Sequence, residues 1–338
     1  MDSLFLKTCR GEVTATKPVW MMRQAGRYLP EYLEVRSQFP SFLDFVHDAK
    51  ASAKVTVQPV DRFGVDAGIL FSDILVVLPL LGINVEFIPG VGPRITNPVR
   101  TIDAVENLHN ENPADALPFT KEAIERSLDL LKDRVPLLGF IGGPLTLASY
   151  AIEGKTSKDL QETKKLYYTH PEAFKALMTR IAETAGEYLR LQALWGCRAL
   201  VVMDSWAGHL SSEDYANMAL PYTKLAIEIA SKSGAPILHY ANGAAHLIPQ
   251  IATLPANGIG LDWRTPLAET LKAYPNAVFQ GNLDPALLFA PVEEIKRRTR
   301  EILKLVADRP HIMNLGHGVL PGTPIEGVKA FIETVREG

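Results

Sequence analysis

Eight times along this chain a short apolar run is followed by a polar or glycine-bearing cluster and then by a longer stretch of helical period, and that recurrence narrows the possible folds more than any other feature. The runs are Val19 to Met22, Ala67 to Phe71, Leu137 to Ile141, Ala199 to Met203, Ile237 to Tyr240, Gly258 to Leu261, Ala277 to Gln280 and Ile312 to Leu315. Segments this short and apolar on both faces suit parallel strands buried beneath helices. Glu172 to Trp195 supplies such a helix, with Phe174, Leu177, Met178, Ile181, Ala185, Tyr188 and Leu189 at helical spacing. Glu213 to Ser231, Pro285 to Ala307 and Pro324 to Arg336 read the same way, the last with Thr323 as its N-cap and Pro324 at the first helical position. Alternating strand and helix predicts an α/β protein with a parallel sheet, and eight units predict closure into a (β/α)8 TIM-type barrel. An open doubly wound sheet is the alternative. No shift in composition divides the 338 residues, so a single domain over 1–338 is expected. The stretch from Pro89 to Pro118, rich in proline and glycine, reads as a long excursion from the barrel and not as a linker.

Several function classes are disfavoured. Lys+Arg at 35 nearly balance Asp+Glu at 38, so no global field recommends nucleic acid or an anionic membrane as partner. The longest apolar run, Ile74 to Ile83, is about half of what a membrane span needs, contains Pro79, and is expected to be buried. Two cysteines, Cys9 and Cys197, make no disulfide framework and are too few for a usual structural zinc site, which fits a reducing, cytoplasmic compartment. The N-terminal residues show no leader-like apolar stretch. No GxGxxG, Walker A, HExxH or GxSxG pattern occurs in a fitting context, and His239, His246, His311 and His317 lack the spacing of a hydrolase metal site. Neither a metal nor a cofactor is therefore expected.

In a parallel barrel all strands point one way, so the clusters that follow them meet at one rim, where such folds keep their chemistry. Arg23 and Arg27, with Arg36 further on, concentrate planar bidentate donors suited to carboxylate or phosphate, although a solvated loop with ordinary ion pairs reads the same way. Asp73 stands between two strongly apolar stretches, where water should be scarce. It either faces a cationic or N–H-bearing partner or caps a helix N-terminus. Tyr150 is open between a site role and core packing, and Ser205, in Asp-Ser-Trp-Ala-Gly, between a site role and capping. His317, flanked by Gly316 and Gly318, can approach a ligand closely or simply pack in its turn.

Pro18 to Tyr32, PVWMMRQAGRYLPEY, resembles the N-terminal signature of the uroporphyrinogen decarboxylase family, and Gly139 to Gly154, GFIGGPLTLASYAIEG, resembles its second. FSDILVV from Phe71, GNLDP from Gly281 and NLGHGV from Asn314 are similar to further family blocks, so the likeness runs in order along nearly the whole chain. Leu145 departs from it, standing where an aromatic residue is usual, which should alter packing near the pocket without removing a reacting group. The resemblance implies a cofactor-free, homodimeric carboxy-lyase with a distorted (β/α)8 barrel. It would convert the four acetate side chains of uroporphyrinogen III to methyl groups, giving coproporphyrinogen III and CO2 in tetrapyrrole synthesis.

By the same resemblance Arg23, Gln24, Gly26, Arg27, Asp73, Tyr150, Ser205 and His317 match positions that contact the tetrapyrrole, and the backbone of Ala25 joins them. Loss of CO2 needs an electron sink, and a protonated pyrrole can serve as one. A preorganised carboxylate in a dry site, Asp73, would stabilise that cation. Tyr150 would orient Asp73 by a hydrogen bond, Arg23 and Arg27 would clamp carboxylates, and Ser205 and His317 would position peripheral ones. Arg23 is also a candidate proton donor, although a guanidinium is a poor acid. Two other functions fit less of the sequence. A corrinoid or thiol methyltransferase would need zinc held by His and Cys ligands, yet Cys9 and Cys197 lie outside the rim clusters, and a noncatalytic tetrapyrrole carrier gains little from Asp73.

Overall fold

The computed structural model describes residues 2–338. Its described strands are β1 (Gly68–Ile69), β2 (Val85–Ile88), β3 (Gly92–Ile95), β4 (Leu137–Gly142), β5 (Ala199–Asp204), β6 (Ile237–Ala241), β7 (Gly258–Gly260), β8 (Phe279–Leu283) and β9 (His311–Leu315). β1 and β4 to β9 make one curled parallel sheet in the order β1-β4-β5-β6-β7-β8-β9. Every residue of β4, β5, β6, β8 and β9 is buried, as the apolar runs require of strands covered on both faces.

The remaining gap is spanned by Pro18 to Trp20. Met313 donates its N–H to the Pro18 carbonyl at 2.8 Å and accepts from Trp20 N–H at 3.3 Å, while Asp66 N–H donates to the Val19 carbonyl at 2.8 Å. Val19 forms a single parallel bridge with Met313 and no longer ladder. Two local causes keep this stave short. Pro18 has no N–H to offer, and the N–H of Val19 is taken at 2.7 Å by the side-chain carboxylate of Asp66. The expected eight-unit barrel is thus built from seven regular strands and one reduced to a bridge. Its interior is filled with side chains; Trp20, fully buried, donates its indole N–H to the Gln280 side chain at 2.8 Å.

Around the sheet, helix Pro171–Leu194 packs on Leu220–Ser231. Their backbones approach closely at Gly186, where a Cβ would come within 2.8 Å of the Ala226 carbonyl. The residues Leu75, Val77, Leu78, Leu81 and Ile83 are buried, and no helix among the described residues is long and apolar enough to cross a membrane.

Several boundaries differ from expectation. An antiparallel hairpin, β2 with β3, straddles the start of the excursion at Pro89, with most of its residues half-exposed or exposed. The single helix expected over Glu213 to Ser231 breaks at Ala219, because Pro221 needs the first turn of a new helix. The one expected over Pro285 to Ala307 divides into a 3-10 turn and helix Val292–Leu305, because Pro291 has no N–H to donate inside a helix and stands as the N-cap of the second piece. Thr323 does not cap the last helix. Its hydroxyl donates to the Leu320 carbonyl at 2.8 Å, and Pro324 takes the capping position before Ile325–Glu337.

Candidate active site

The loop from Met22 to Arg27 is pinned on both sides of its first arginine. Met22 N–H donates to Asn314 Oδ1 at 3.2 Å and the Met22 carbonyl accepts from Val319 N–H at 2.9 Å. Gln24 is fully buried, accepting from Met21 N–H at 3.1 Å and donating to the Ala67 carbonyl at 2.9 Å. Between these anchors Arg23 is forced to φ +60°, a left-handed conformation that costs a non-glycine residue about 1 kcal/mol or more. The side chain of Arg23 is thereby turned out over the rim, where a Cβ on Gly318 would lie 2.4 Å from its Cδ. Arg23 and Arg27 are exposed and have no ion pair among the described residues. The N–H groups of Ala25, Gly26 and Arg27, half-buried or exposed, donate to no backbone acceptor among those residues. Three successive free donors beside two guanidiniums make a local anion site on a chain with little net charge.

Asp73 lies in the loop after β1. That loop is held by Ser52, whose hydroxyl donates to the Phe71 carbonyl at 2.6 Å, and by Thr56, whose Oγ1 accepts from Phe71 N–H at 2.8 Å. The Asp73 carboxylate accepts from Leu75 N–H at 2.8 Å. It caps no helix; the bond closes a turn onto its own backbone. Burial pushes its carboxyl up to about 6, opposed by backbone N–H bonds and then by the charge of Arg23. A partly open carboxylate kept short of water in the field of a guanidinium is a preorganised stabiliser for positive charge.

Tyr150, on helix Pro144–Glu153, and Trp206, just after β5, stack with ring centroids 4.2 Å apart. Burial raises the Tyr150 hydroxyl to about 12, with Asp73 adding to the rise and Arg23 opposing it, so the three groups share one field. Beneath them Asp204 is fully buried and accepts from the Thr146 hydroxyl at 2.7 Å, with burial lifting its carboxyl to about 6. Ser205 is half-buried at the end of β5. His317, after β9, accepts at Nδ1 from Gly318 N–H at 2.7 Å, and burial with the nearby Arg23 and Arg264 charges holds it down at about 4. The imidazole is therefore neutral at pH 7 and offers Nε2–H as a donor.

The sequence matches the family model described as uroporphyrinogen decarboxylase over residues 1–338. The chain belongs to the uroporphyrinogen decarboxylase family. It is 44% identical to the uroporphyrinogen decarboxylase of Carboxydothermus hydrogenoformans, covering 100% of this chain and 97% of that one. With the enzyme of the same name from Solibacter usitatus it shares 41%, covering 100% and 98%. Among solved structures a methyltransferase from Methanosarcina mazei superposes with a TM-score of 0.80 at 18% identity, covering 100% of this chain and 99% of that one, which speaks for the fold alone.

Of the positions that the uroporphyrinogen decarboxylase signatures pointed to, Arg23, Asp73 and Tyr150 are brought within one another's electrostatic reach, His317 lies within reach of Arg23, and Arg27, Ala25 and Gly26 share the Arg23 loop. Two expectations are corrected. Gln24 presents no surface to a ligand, since both ends of its amide tie Met21 to Ala67 across the barrel, so it is a strut beneath Arg23. The hydrogen bond expected from Tyr150 to Asp73 is not formed among the described residues; Leu75 N–H orients the carboxylate, and the Tyr150 ring is spent on Trp206. Leu145, the departure from the family pattern, is fully buried. Trp206, Asp204 and Tyr240 were missed as individual residues, though each stands at the end of a predicted strand or just beyond it. Tyr240, whose hydroxyl donates to the Gly316 carbonyl at 2.9 Å, lies in the field of Arg23. A depression of about 560 Å³ lined by Cys9 to Gly11 and Tyr274 to Val278 lies at the N-terminal ends of β7 and the run before β8, away from all of these groups.

Proposed function

We propose that this rim site carries out the reaction of its family, decarboxylating the four acetate side chains of uroporphyrinogen III to methyl groups and yielding coproporphyrinogen III. The observation that carries the reading is Asp73, a half-buried carboxylate after β1 that is held by Leu75 N–H and lies in the field of Arg23 at the barrel rim. Protonation of a pyrrole α-carbon turns the ring into an iminium-like cation. The bond from the acetate methylene to its carboxylate breaks, CO2 leaves, and the electron pair flows into the ring to give an exocyclic methylene. A proton adds to that methylene, and the α-carbon releases its own, so each acetate consumes one proton overall. The ring is its own electron sink, which removes the need for a cofactor that plays this part elsewhere.

Asp73, with one oxygen held by Leu75 N–H, keeps lone pairs for pyrrole N–H groups and supplies the negative charge that favours the cation. Arg23 and Arg27 grip substrate carboxylates by paired N–H donors, aided by the free N–H groups of Ala25 to Arg27. Ser205 and the Nε2–H of His317 donate to further carboxylates, while the packed rings of Tyr150 and Trp206 offer an apolar wall. Membership of the family also supports a homodimer with facing clefts and a cytoplasmic location.

The methyltransferase reading shares the fold, but the thiols sit badly for it. Cys9 lies on helix Leu4–Cys9 and Cys197 precedes β5, at the end opposite the rim, and burial raises both, Cys9 to about 12. Among the described residues no three His, Cys, Asp or Glu side chains cluster as metal ligands. The test is anaerobic incubation of chelator-treated protein with uroporphyrinogen III, separating products by carboxylate number. A series of partly decarboxylated products ending at coproporphyrinogen is expected; recovery of unchanged substrate refutes the reading.

A further inference from the structure

Arg264, on the loop after β7, is a cation at the same rim whose charge nothing in the protein fully uses. Asp262 beside it is 1% exposed and occupied elsewhere: Oδ1 accepts from Arg264 N–H at 2.7 Å and Oδ2 from Ala244 N–H at 3.1 Å. The guanidinium only just reaches that carboxylate, Nη1 to Oδ2 being 4.0 Å, and its side chain is 51% exposed. It lies 4.0 Å above the Trp263 ring. Stacking of this kind holds the planar head in place while leaving its in-plane N–H donors free for an oxyanion.

The platform is fixed against the β9 loop. A Cβ on Gly316 would come within 2.2 Å of Trp263 N, and the Trp263 and His317 rings meet edge-on at 6.3 Å. His317 and Tyr240 both feel the charges of Arg23 and Arg264, so the two arginines lie within electrostatic range of the same two side chains. A tetrapyrrole carries carboxylates around its whole edge, and one loop can grip only those on one side of it. A second anchor is what would decide which acetate comes to rest at Asp73.

We infer that Arg264 is a further substrate-binding residue, forming with the Nε2–H of His317 a second carboxylate-gripping point for a peripheral carboxylate that Arg23 and Arg27 leave free. The inference rests on the function proposed above. Its test compares Arg264→Gln and Arg264→Lys with the unaltered protein. Steady-state rates with uroporphyrinogen III should show KM raised ~10-fold in Arg264→Gln with kcat within about twofold, the signature of lost uniform binding. Arg264→Lys should recover part of the KM, because it restores the charge without the planar fork. The oxidised octacarboxylate uroporphyrin should likewise bind Arg264→Gln ~10-fold more weakly, followed by its fluorescence. An unchanged KM and uroporphyrin affinity in Arg264→Gln overturns the inference. So does an equal loss in both variants accompanied by a changed Trp263 near-UV signal, which would make Arg264 a packing residue. Absence of turnover in the unaltered protein overturns the proposed reaction, and the uroporphyrin titration still reads Arg264 on its own.

Discussion

Replacing Asp73 by asparagine should slow turnover and stabilise the fold at once, because the same buried charge serves one and burdens the other. The carboxyl stands at about 6 against an ordinary 3.8. That difference corresponds to roughly 3 kcal/mol by which the folded protein disfavours the carboxylate over its acid. The folded group holds its proton more tightly than the unfolded one, so the burden is absent below about pH 4, grows between there and about pH 6, and is complete above. Asparagine carries no charge and keeps an Oδ1 acceptor for the Leu75 N–H that closes the turn. Asp73→Asn should therefore raise the unfolding free energy by up to about 3 kcal/mol at pH 8 and by little near pH 4. With the cation-stabilising charge gone, kcat should fall by ~10² to 10³. Urea unfolding at the two pH values gives the first quantity, and anaerobic product analysis by carboxylate number gives the second. Near-normal turnover, or a variant weaker than the parent at pH 8, would refute the reasoning.

The rate should fall on the acid side as Asp73 takes up its proton near pH 6, but Asp204 stands at about 6 too. An Asp204→Asn profile of kcat/KM that retains the acid limb assigns it to Asp73, and loss of the limb assigns it to Asp204. In Gly318→Ala the added methyl would meet the Arg23 stem at 2.4 to 3.0 Å, a flexible neighbour that can yield. The urea midpoint should hardly move while kcat/KM drops ~10- to 10²-fold through misplacement of the guanidinium. Gln24→Leu should lower unfolding free energy by about 2 to 4 kcal/mol, since Met21 N–H and the Ala67 carbonyl lose their partners inside the core. Unchanged stability with a raised KM would return Gln24 to the ligand.

Strand positions were legible because burial on both faces writes itself into a local run of apolar residues, and β4, β5, β6 and β9 fall within one residue of where those runs predict them. β8 lies further along than expected because Gly281 and Asn282 read as loop; the Asn282 amide in fact donates to the Asp262 and Thr265 carbonyls, which ties the rim loops to the sheet. Hairpin β2–β3 was not read from the sequence because its strands are four residues each and mostly half-exposed or exposed, too short for their alternation to stand out. Arg23, Asp73 and His317 were legible as site candidates for a different reason: each follows an apolar run, and in a parallel barrel that alone sends them to one rim.

The linear order of residues was enough to settle the alternation of strand and helix, the end of the barrel at which the polar clusters gather, and the family. Only tertiary structure decided that Gln24 faces inward while its neighbour Arg23 turns out, that Tyr150 stacks on Trp206 and leaves Asp73 to its own backbone, and that Arg264 shares His317 with Arg23. Hydrophobic periodicity reports which side of an element is buried. It carries no information about which group, from a distant part of the chain, is packed against that side.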